Sequence, residues 1–411
     1  MKKVLIITLI LCLTIFPSLS VLAADTNPVT GIYPDEIETN EVNKEKETST
    51  PSELLTNAKS GLLMEATTGE ILFEKQMDER IPVASMTKMM AQILILESIE
   101  NGTLTWDEKI TTSSNAAGMG GSQIWLQPNE VMTVRDLMKG ISMASANDAT
   151  VLLAERISGT EASFVEAMNK KALELGLKNT HFMNSTGLDE ENHYSSSHDL
   201  GLIAKELLQH PSILEFSSVY EDYLRTDTAN KFWLVNTNKL IRTYKGADGL
   251  KTGHTDAALY CMSVTAKKDN LRLIAVVLGE ENSKVRNKET AALLDYGFNN
   301  YKMQLLKAKG EVLGTTKIDK GNKDQVIIVA KDDIGIVTKK AAEDAVLDTK
   351  LELNSIKIPV KPGDVVGKVL LTNNGGVVGE YPVTVKEEVT KAKFFKLYFR
   401  IIKEMLTGNR G

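Results

Sequence analysis

Cysteine is almost absent from this sequence, with two residues in a chain of 411. Cys12 lies in an apolar run near the N-terminus, and the bulky Leu11 before it argues against lipid attachment there. A disulfide framework is therefore excluded, so the fold must be stabilised by its core, which a chain of this length can supply. We expect Cys261 to be a small buried apolar residue rather than a nucleophile.

Proline is also scarce, and neither sign of charge is in large excess. The 28 glycines and 10 prolines are too few for collagen or for a low-complexity polymer. With 48 basic and 54 acidic residues the net charge is −6, which offers nucleic acid no broad positive surface. The hydrophobic content of 42% is typical of a globular protein, and the length predicts two or three domains.

The N-terminus lacks an apolar run long enough to cross a membrane. Two lysines precede the apolar residues 4–16, and a proline and a small-residue cleavage site at Ala23 follow. Because a span needs about 18 or more apolar residues, this order predicts a secretory signal peptide over 1–23. The acidic residues 24–52 cannot bury a core, and we expect a disordered leader there.

Two different patterns follow the leader. Between 53 and 303, helical periodicity and strand-like runs together predict a mixed domain of helices and sheet. The expected strands lie at 61–65, 70–73, 258–266 and 272–279, and the expected helices at 86–100, 134–139, 147–157 and 161–175. From 304 to 388, short Val/Ile-rich runs separated by glycine and proline predict a small β-rich domain.

The C-terminal segment 389–411 has a strongly two-sided helical pattern. Over 391–406 the apolar residues share one broad arc of a helical wheel, and the basic residues take the other. This pattern predicts an amphipathic helix on an anionic membrane surface, since the segment is too short and too charged to span. A helix docked on the β-rich domain, or a dimer contact, is the alternative.

Ser85 and Lys88 form the first of three short motifs that carry chemistry. Their i, i+3 spacing at the start of a predicted helix puts both side chains on one face. A serine hydroxyl is a weak nucleophile, and a lysine desolvated among methionines can accept its proton near neutral pH. The alternative is a capping serine followed by a surface lysine.

Ser145 and Asn147, just before a helical run, form the second motif. The serine can relay a proton to a leaving amine, and the asparagine can hold the Lys88 ammonium or a substrate amide. The third motif covers 251–255, where a lysine and a hydroxyl suit a carboxylate anchor. The missing side chain of Gly253 would let the backbone approach a ligand there.

In this order the three motifs form the constellation of class A β-lactamases and penicillin-binding proteins. The sequence resembles the D-alanyl-D-alanine carboxypeptidases, the low-molecular-weight penicillin-binding proteins, over residues 53–303 and more loosely beyond. The segments that carry the resemblance are 82–88, 145–149, 164–169, 187–188, 248–255 and 294–297. It implies an α+β fold: a transpeptidase-like antiparallel sheet with helices on both sides and an all-helical part, then a small β-sandwich-like domain.

The resemblance also implies a serine-type carboxypeptidase that releases the terminal D-alanine of peptidoglycan pentapeptide stems and is acylated by β-lactams. Ser85 would be acylated, Lys88 would be the general base, and Ser145 would pass the proton on. No metal and no cofactor are implied, and no nucleic acid. An exported enzyme of this kind is expected at the outer face of the cytoplasmic membrane or in the cell wall.

Substrate binding would fall on residues of the second and third motifs. Asn147 would orient the substrate, and Lys251 and Thr252, followed by Gly253, would grip its terminal carboxylate. The backbone amides of Ser85 and His254 would form an oxyanion hole. Arg286 lies where such enzymes often keep a basic residue near that carboxylate, but a surface ion pair is equally compatible with its neighbours.

Three other functions are alternatives to the carboxypeptidase. A serine β-lactamase needs a carboxylate for its deacylating water, and Glu166 offers one, although it lies on a helix with an apolar period. A silent binder of cell-wall peptides would not need the Ser85 and Lys88 pair. A metal hydrolase is disfavoured because His193 and His198 are five residues apart, off the i, i+4 spacing of a helical zinc pair.

Overall fold

The computed structural model describes residues 53–318 and 320–394. The predicted signal peptide and leader over 1–52 lie outside the described residues, as does the tail from 395. Where the description ends, Lys391 forms a β-bridge with Gly321, so the first residue of the predicted tail helix is not helical. Within the described ranges, none of the helices combines the length and the apolar character that a membrane crossing requires.

Residues 53–300 alternate between strands and helices. The strands are β1 (Ser60–Glu65), β2 (Ile71–Lys75), β3 (Lys109–Thr111), β4 (Val131–Thr133), β5 (Glu221–Leu224), β6 (Phe232–Val235), β7 (Ala247–Thr255), β8 (Leu259–Lys268) and β9 (Leu271–Glu280). The helices are α1 (Lys88–Glu100), α2 (Ser114–Ala117), α3 (Val134–Ala144), α4 (Asn147–Ser158), α5 (Glu161–Glu174), α6 (Ser197–Leu207), α7 (Leu214–Ser217), α8 (Leu240–Thr243) and α9 (Ser283–Asn300). Short 3₁₀ turns precede α1 and α7, at Ala84–Thr87 and Pro211–Ile213.

The central sheet has the order β2-β1-β9-β8-β7, with every neighbouring pair antiparallel. Alternate residues of a strand face opposite sides, and both sides of this sheet are apolar. In β1, Leu62 and Met64 face the core under α1 and α6, whereas Leu63 faces the core under α9. The sheet is therefore covered by helices on both sides, and β7 lies at its edge.

Helix α1 runs through the larger of the two cores and is almost completely buried, including Lys88 and Gln92. Its start differs from the expected residue 86, because Ala84–Thr87 form a tighter 3₁₀ turn before it. Helix α3 runs five residues beyond its predicted end at 139 and stops at Ser145, which adopts the left-handed conformation. Cys261 is buried on β8, as expected.

Residues 301–394 form a second, β-rich part of the chain. Its strands are β10 (Tyr301–Lys307), β11 (Val312–Lys317), β12 (Gln325–Ala330), β13 (Ile334–Lys339), β14 (Leu347–Leu353), β15 (Gly367–Asn373) and β16 (Gly376–Val385). They form a sheet of order β11-β12-β16-β15-β14 around an apolar core, and a β10-β13 pair that contributes to this core and, through Val337, to the core under α9. The expected division between 303 and 304 falls inside β10.

Candidate active site

The turn that carries Ser85 is held in an unusual backbone conformation. Ala84, directly before Ser85, has φ +48°, in the left-handed region. Gly187, at φ +84°, packs on this turn so closely that a Cβ at its position would lie 1.9 Å from the Ala84 carbonyl oxygen. Only glycine fits such an approach, so the 187 segment fixes the conformation of the Ser85 turn.

Lys88 is in position to act on Ser85. Its Nζ lies 2.8 Å from the Ser85 Oγ and donates to the Thr186 carbonyl at 2.7 Å. The side chain is fully buried, and burial, reinforced by the charge of Lys251, lowers its pKa well below the ordinary value, although Asp148 opposes the shift. Burial therefore favours the neutral amine, the form that can accept a proton, and the alternative of a surface lysine does not fit this burial.

Ser145 and Asn147 flank the junction between α3 and α4. The Ser145 Oγ and the Asn147 Oδ1 are both buried and have no hydrogen-bond partner among the described residues. The other end of the Asn147 amide is held, because its Nδ2 donates to the Gly120 carbonyl at 2.7 Å. Buried polar atoms nearly always have partners, so these two acceptors are suited to meet a substrate or a water molecule.

Asp148 is a buried residue of the second motif to which the sequence assigned no role. Its carboxylate accepts from the backbone N–H groups of Ile124 and Leu126 at 3.2 and 3.0 Å. The Asn147 N–H donates to the Ser122 carbonyl at 2.7 Å. The start of α4 and the loop 120–126 are therefore tied together, which fixes the Asn147 side chain beside that loop.

The third motif lies on the edge strand β7. Lys251 is buried, its Nζ donates to the Thr252 carbonyl at 2.8 Å, and burial together with Arg286 lowers its pKa to about 7. The Thr252 hydroxyl donates to the Thr237 hydroxyl at 2.7 Å. Thr237 could not be identified from the sequence, because no local pattern marks a residue that accepts a hydrogen bond from another side-chain hydroxyl.

Gly253 has a different role from the one expected. A Cβ at Gly253 would lie 2.9 Å from the Val83 carbonyl oxygen and 3.2 Å from the Ala84 Cβ. The missing side chain therefore lets β7 pack against the Ser85 turn, where the sequence suggested room for a ligand. The next residue, His254, has an exposed side chain that stacks on Tyr260 with ring centroids 4.1 Å apart.

Arg286 lies in the first turn of α9 and is only 5% exposed. Its guanidinium donates to the Asn287 amide oxygen at 3.0 Å and lies 5.9 Å from the Tyr260 ring. The charge of Arg286 also contributes to the lowered pKa of Lys251, so the two cations are near each other. A surface ion pair does not fit this burial, and the sequence alone could not distinguish the two readings.

His193 supports the Ser85 turn from behind. Its Nδ1 accepts from the Met183 N–H, so the Nε2–H donates to the Thr87 hydroxyl at 2.7 Å. Burial lowers the pKa of His193 to about 4, which keeps this arrangement neutral. His193 is therefore held by hydrogen bonds at both ring nitrogens and contacts Thr87, which lies between Ser85 and Lys88.

The residues of the competing functions lie elsewhere. Glu166 is exposed on α5, whose buried face carries Phe164 and Met168, so its position does not favour a catalytic water. Among the described residues, the one grouping of His, Cys, Asp and Glu tight enough for a metal lies at the far end of α1, away from Ser85. His193 and His198 are not part of it.

A cleft of about 290 Å³ opens beside the Ser85 turn. It is lined on one side by the turn, through Val83 and Ala84, and on the other by Gly187, Leu188 and Ala257. Ser85 directly follows Ala84, which lines the cleft, and the desolvated amine of Lys88 contacts Ser85. Unpartnered polar acceptors and two buried cations lie in the neighbouring motifs. This combination suits acyl transfer from a substrate that ends in a carboxylate.

Comparison with known proteins agrees with this chemistry. Residues 45–282 match the family described as D-alanyl-D-alanine carboxypeptidase, and residues 301–391 match the penicillin-binding protein 5 C-terminal domain. The D-alanyl-D-alanine carboxypeptidase DacF of Bacillus subtilis is 47% identical over 346 residues, which are 84% of this chain and 88% of DacF.

Solved structures show the same relationship. Penicillin-binding protein 5 of Haemophilus influenzae has a TM-score of 0.64 at 31% identity, over 84% of this chain and all of that one. Penicillin-binding protein D2 of Listeria monocytogenes, solved in an ampicillin-bound form, has a TM-score of 0.53 at 34% identity, over 59% of this chain and 97% of that one. The resemblance and the fold predicted from the motifs are confirmed, and the chain belongs to the D-alanyl-D-alanine carboxypeptidase family of serine peptidases.

Proposed function

We propose that this enzyme removes the terminal D-alanine of peptidoglycan pentapeptide stems through an acyl-enzyme on Ser85. The Ser85 oxygen attacks the carbonyl carbon of the penultimate D-alanine while Lys88 takes its proton. The amide C–N bond then breaks, and the leaving amine receives a proton relayed through Ser145, so that free D-alanine departs. Water next attacks the ester, Lys88 again accepts the proton, and Ser85 is regenerated with the shortened stem as a carboxylic acid.

The contact between Lys88 and Ser85 is the observation on which this proposal rests. A fully buried amine 2.8 Å from a hydroxyl, with a pKa held well below its ordinary value, is the base that a serine nucleophile needs. The developing oxyanion would be stabilised by the backbone N–H groups of Ser85 and His254. The close packing of β7 on the Ser85 turn at Gly253 supports this pairing, because it brings the two segments together.

Recognition of the substrate would use the polar groups of the other two motifs. The unpartnered Asn147 Oδ1 would accept from a stem-peptide amide. Lys251 and Thr252 would bind the terminal carboxylate, with Arg286 adding positive charge from behind. The cleft beside Gly187 would receive the acyl portion of the stem.

The decisive experiment is an intact-mass time course of the purified protein with penicillin, with Ser85→Ala run beside it. A β-lactam acylates the same serine, but its leaving amine stays attached to the acyl group, so the adduct should persist. A persistent adduct that Ser85→Ala abolishes, followed by D-alanine release from a pentapeptide, is expected. Rapid loss of the adduct with consumption of penicillin would instead indicate a β-lactamase, and the absence of any adduct would indicate a binding module.

We propose that the enzyme acts at the outer face of the cytoplasmic membrane or in the cell wall, where the amphipathic pattern of 391–406 would hold it on the membrane surface. Burial of even four apolar side chains gives at most roughly 6 kcal/mol, and each basic group adds about 1 kcal/mol near anionic lipid. Deletion of 391–411 should release the protein from membranes and leave acylation intact. Retention of the truncated protein in the membrane fraction would refute the membrane role and favour docking on the β-rich part.

A further inference from the structure

A group of acidic side chains surrounds one buried histidine where α1 and α6 end. Glu97 lies in the last turn of α1 and Glu206 in the last turn of α6, and His210 follows α6 by three residues. One carboxylate oxygen from each glutamate and one ring nitrogen of His210 all lie within 4.8 Å of one another. None of these residues takes part in the site around Ser85.

The His210 ring has a nitrogen without a partner. Its Nδ1 lies 2.8 Å from a carboxylate oxygen of Glu100, which makes Nδ1–H the donor and leaves the lone pair on Nε2. His210 is 6% exposed, and its Nε2 is buried with no hydrogen-bond partner in the described part of the chain. A carboxylate on one nitrogen and a free lone pair on the other is the arrangement of metal-binding histidines.

The charge around His210 also favours a cation. Glu97, Glu100 and Glu206 converge on it, and the C-terminal ends of two helices add partial negative charge. One nearby cation is Lys171, whose Nζ lies 2.7 Å from Glu97 but is shared with Glu174 at 3.1 Å. Lys205 on α6 also interacts electrostatically with Glu206. The carboxylates of Glu97, Glu100, Glu174 and Glu206 outnumber these two ammonium groups, which leaves an excess of negative charge.

We propose that His210, Glu97 and Glu206 bind a divalent metal ion of the zinc class, with Glu100 orienting the histidine. Imidazole nitrogen and carboxylate oxygen are ordinary zinc ligands, at bond lengths of about 2.0–2.2 Å. Two ligand atoms of a tetrahedral ion lie about 3.4 Å apart. Side-chain movements of about 1 Å would therefore bring the three ligand atoms to bonding distance of one ion. Glu97 and Glu206 are both partly exposed, which leaves room for water as a fourth ligand.

The ion would join the ends of α1 and α6, two helices that cover the same side of the central sheet. Glu97 is nine residues from Lys88 along α1, a distance of about 13 Å at the rise of an α-helix. The metal is therefore a structural ion remote from the acylated serine, and this inference does not depend on the proposed function. Acylation by penicillin should be the same in metal-free and metal-loaded protein.

The test is a Zn²⁺ titration of the full chain after removal of metal with a chelator, followed by calorimetry, with Co²⁺ absorption as a second readout. One equivalent should bind and should raise the thermal unfolding midpoint. His210→Gln should weaken binding more than 100-fold, and Glu100→Gln by about 10–100-fold as expected for an orienting partner. Lys171→Met should tighten binding, because it removes the ammonium that competes for Glu97.

The matched control is His198→Gln, on helix α6, which also carries Glu206; the His198 ring lies 3.3 Å from a single carboxylate, that of Asp78. This variant should bind Zn²⁺ like the parent chain. Parent protein that binds no Zn²⁺, or His210→Gln that binds it unchanged, would overturn the proposal. If His210→Gln does not fold, Glu206→Gln takes its place under the same criterion, and weaker binding in Lys171→Met would overturn the role of Glu97.

Discussion

The two parts of the described chain treat charge in opposite ways. Residues 53–300 bury Lys88, Lys251 and Arg286, each at most 5% exposed. Among the described residues from 301 to 394, Thr384 is the one polar side chain that is buried. The ion pairs there lie at the surface, as between Lys368 and Glu380, whose side chains are 44% and 55% exposed.

This difference shows where the fold accepts an energetic cost. Burial of a cation destabilises the folded state unless the charge is compensated or lost. At Lys88 and Lys251 that cost appears as lowered pKa values, which suit the proposed roles of Lys88 as a base and Lys251 as a carboxylate anchor. In the described residues of the β-rich part, an apolar core is combined with ion pairs at the surface, so the cost of burying a cation does not arise there.

Replacement of the buried base should have the largest effect. Lys88→Met keeps the length of the side chain and removes the amine, so acylation by penicillin should slow by roughly 10²–10⁴-fold. Lys350→Met is the matched control, because Lys350 is an exposed lysine paired with Glu352 in the β-rich part. Stopped-flow or intact-mass acylation rates measure both. A Lys88→Met rate within a few-fold of the parent would refute the role of Lys88 as the base.

A cavity in the β-rich core should reduce stability without affecting the chemistry. Leu371 is fully buried on β15, so Leu371→Ala should lower the free energy of unfolding by about 2–5 kcal/mol. Denaturant unfolding measures the loss, and penicillin acylation should keep the parent rate in native buffer. A parallel loss of acylation would show that the two parts are more tightly coupled than their separate cores indicate.

Loss of the second buried lysine should weaken substrate binding and shift the pH profile. Lys251→Met removes a charged hydrogen-bond donor, a loss of about 1.5–3 kcal/mol, or roughly 10–100-fold in kcat/KM for a peptide with a free carboxylate. Because the charge of Lys251 lowers the pKa of Lys88, the acid limb should also move to higher pH. The exposed Lys267 on β8 gives the control Lys267→Met, and an unmoved acid limb would contradict the electrostatic coupling.

The features of the fold and the site that could be predicted from the sequence are those that depend on short-range patterns. The spacing of Ser85 and Lys88 predicted their contact, and the apolar run in 272–279 predicted a strand that β9 contains. The helix start was wrong by two residues, because periodicity cannot separate a 3₁₀ turn from the first turn of an α-helix. The stop of α3 at Ser145 was also missed, since a left-handed serine at a helix end carries no sequence signature.

Long-range contacts account for what the sequence could not supply. Thr186, whose carbonyl accepts a hydrogen bond from Lys88, is 98 residues away along the chain. Thr237, whose hydroxyl accepts from the Thr252 hydroxyl, is 15 residues away from Thr252. Gly253 was assigned to the site for a ligand, yet its space is taken by Val83 and Ala84 of the same chain. Such roles depend on which surfaces meet in the fold, and a single sequence does not record that.

A carboxyl pair at the end of the middle strand of the central sheet offers the smallest and most specific test of how burial controls charge. Glu280 on β9 is fully buried beside Glu289, which accepts from Asn57 Nδ2 at 2.7 Å. Burial, and then Glu289, raise the pKa of Glu280 to about 8. Since the folded state holds this proton more tightly than the unfolded state, its stabilising effect is complete below the unfolded pKa and is lost as pH rises through about 8.

The free energy of unfolding should therefore decrease by about 2 kcal/mol between pH 6 and pH 8 through this residue alone. Glu280→Gln keeps a donor toward Glu289 and cannot ionise, so it should flatten that decrease, as measured by denaturant unfolding at each pH. Glu343→Gln, at an exposed glutamate of the β-rich part, should leave the slope unchanged. Equal slopes in the parent and Glu280→Gln would mean that Glu280 is already ionised at pH 6, and that a buried carboxyl in this sheet keeps its charge where the buried lysines lose theirs.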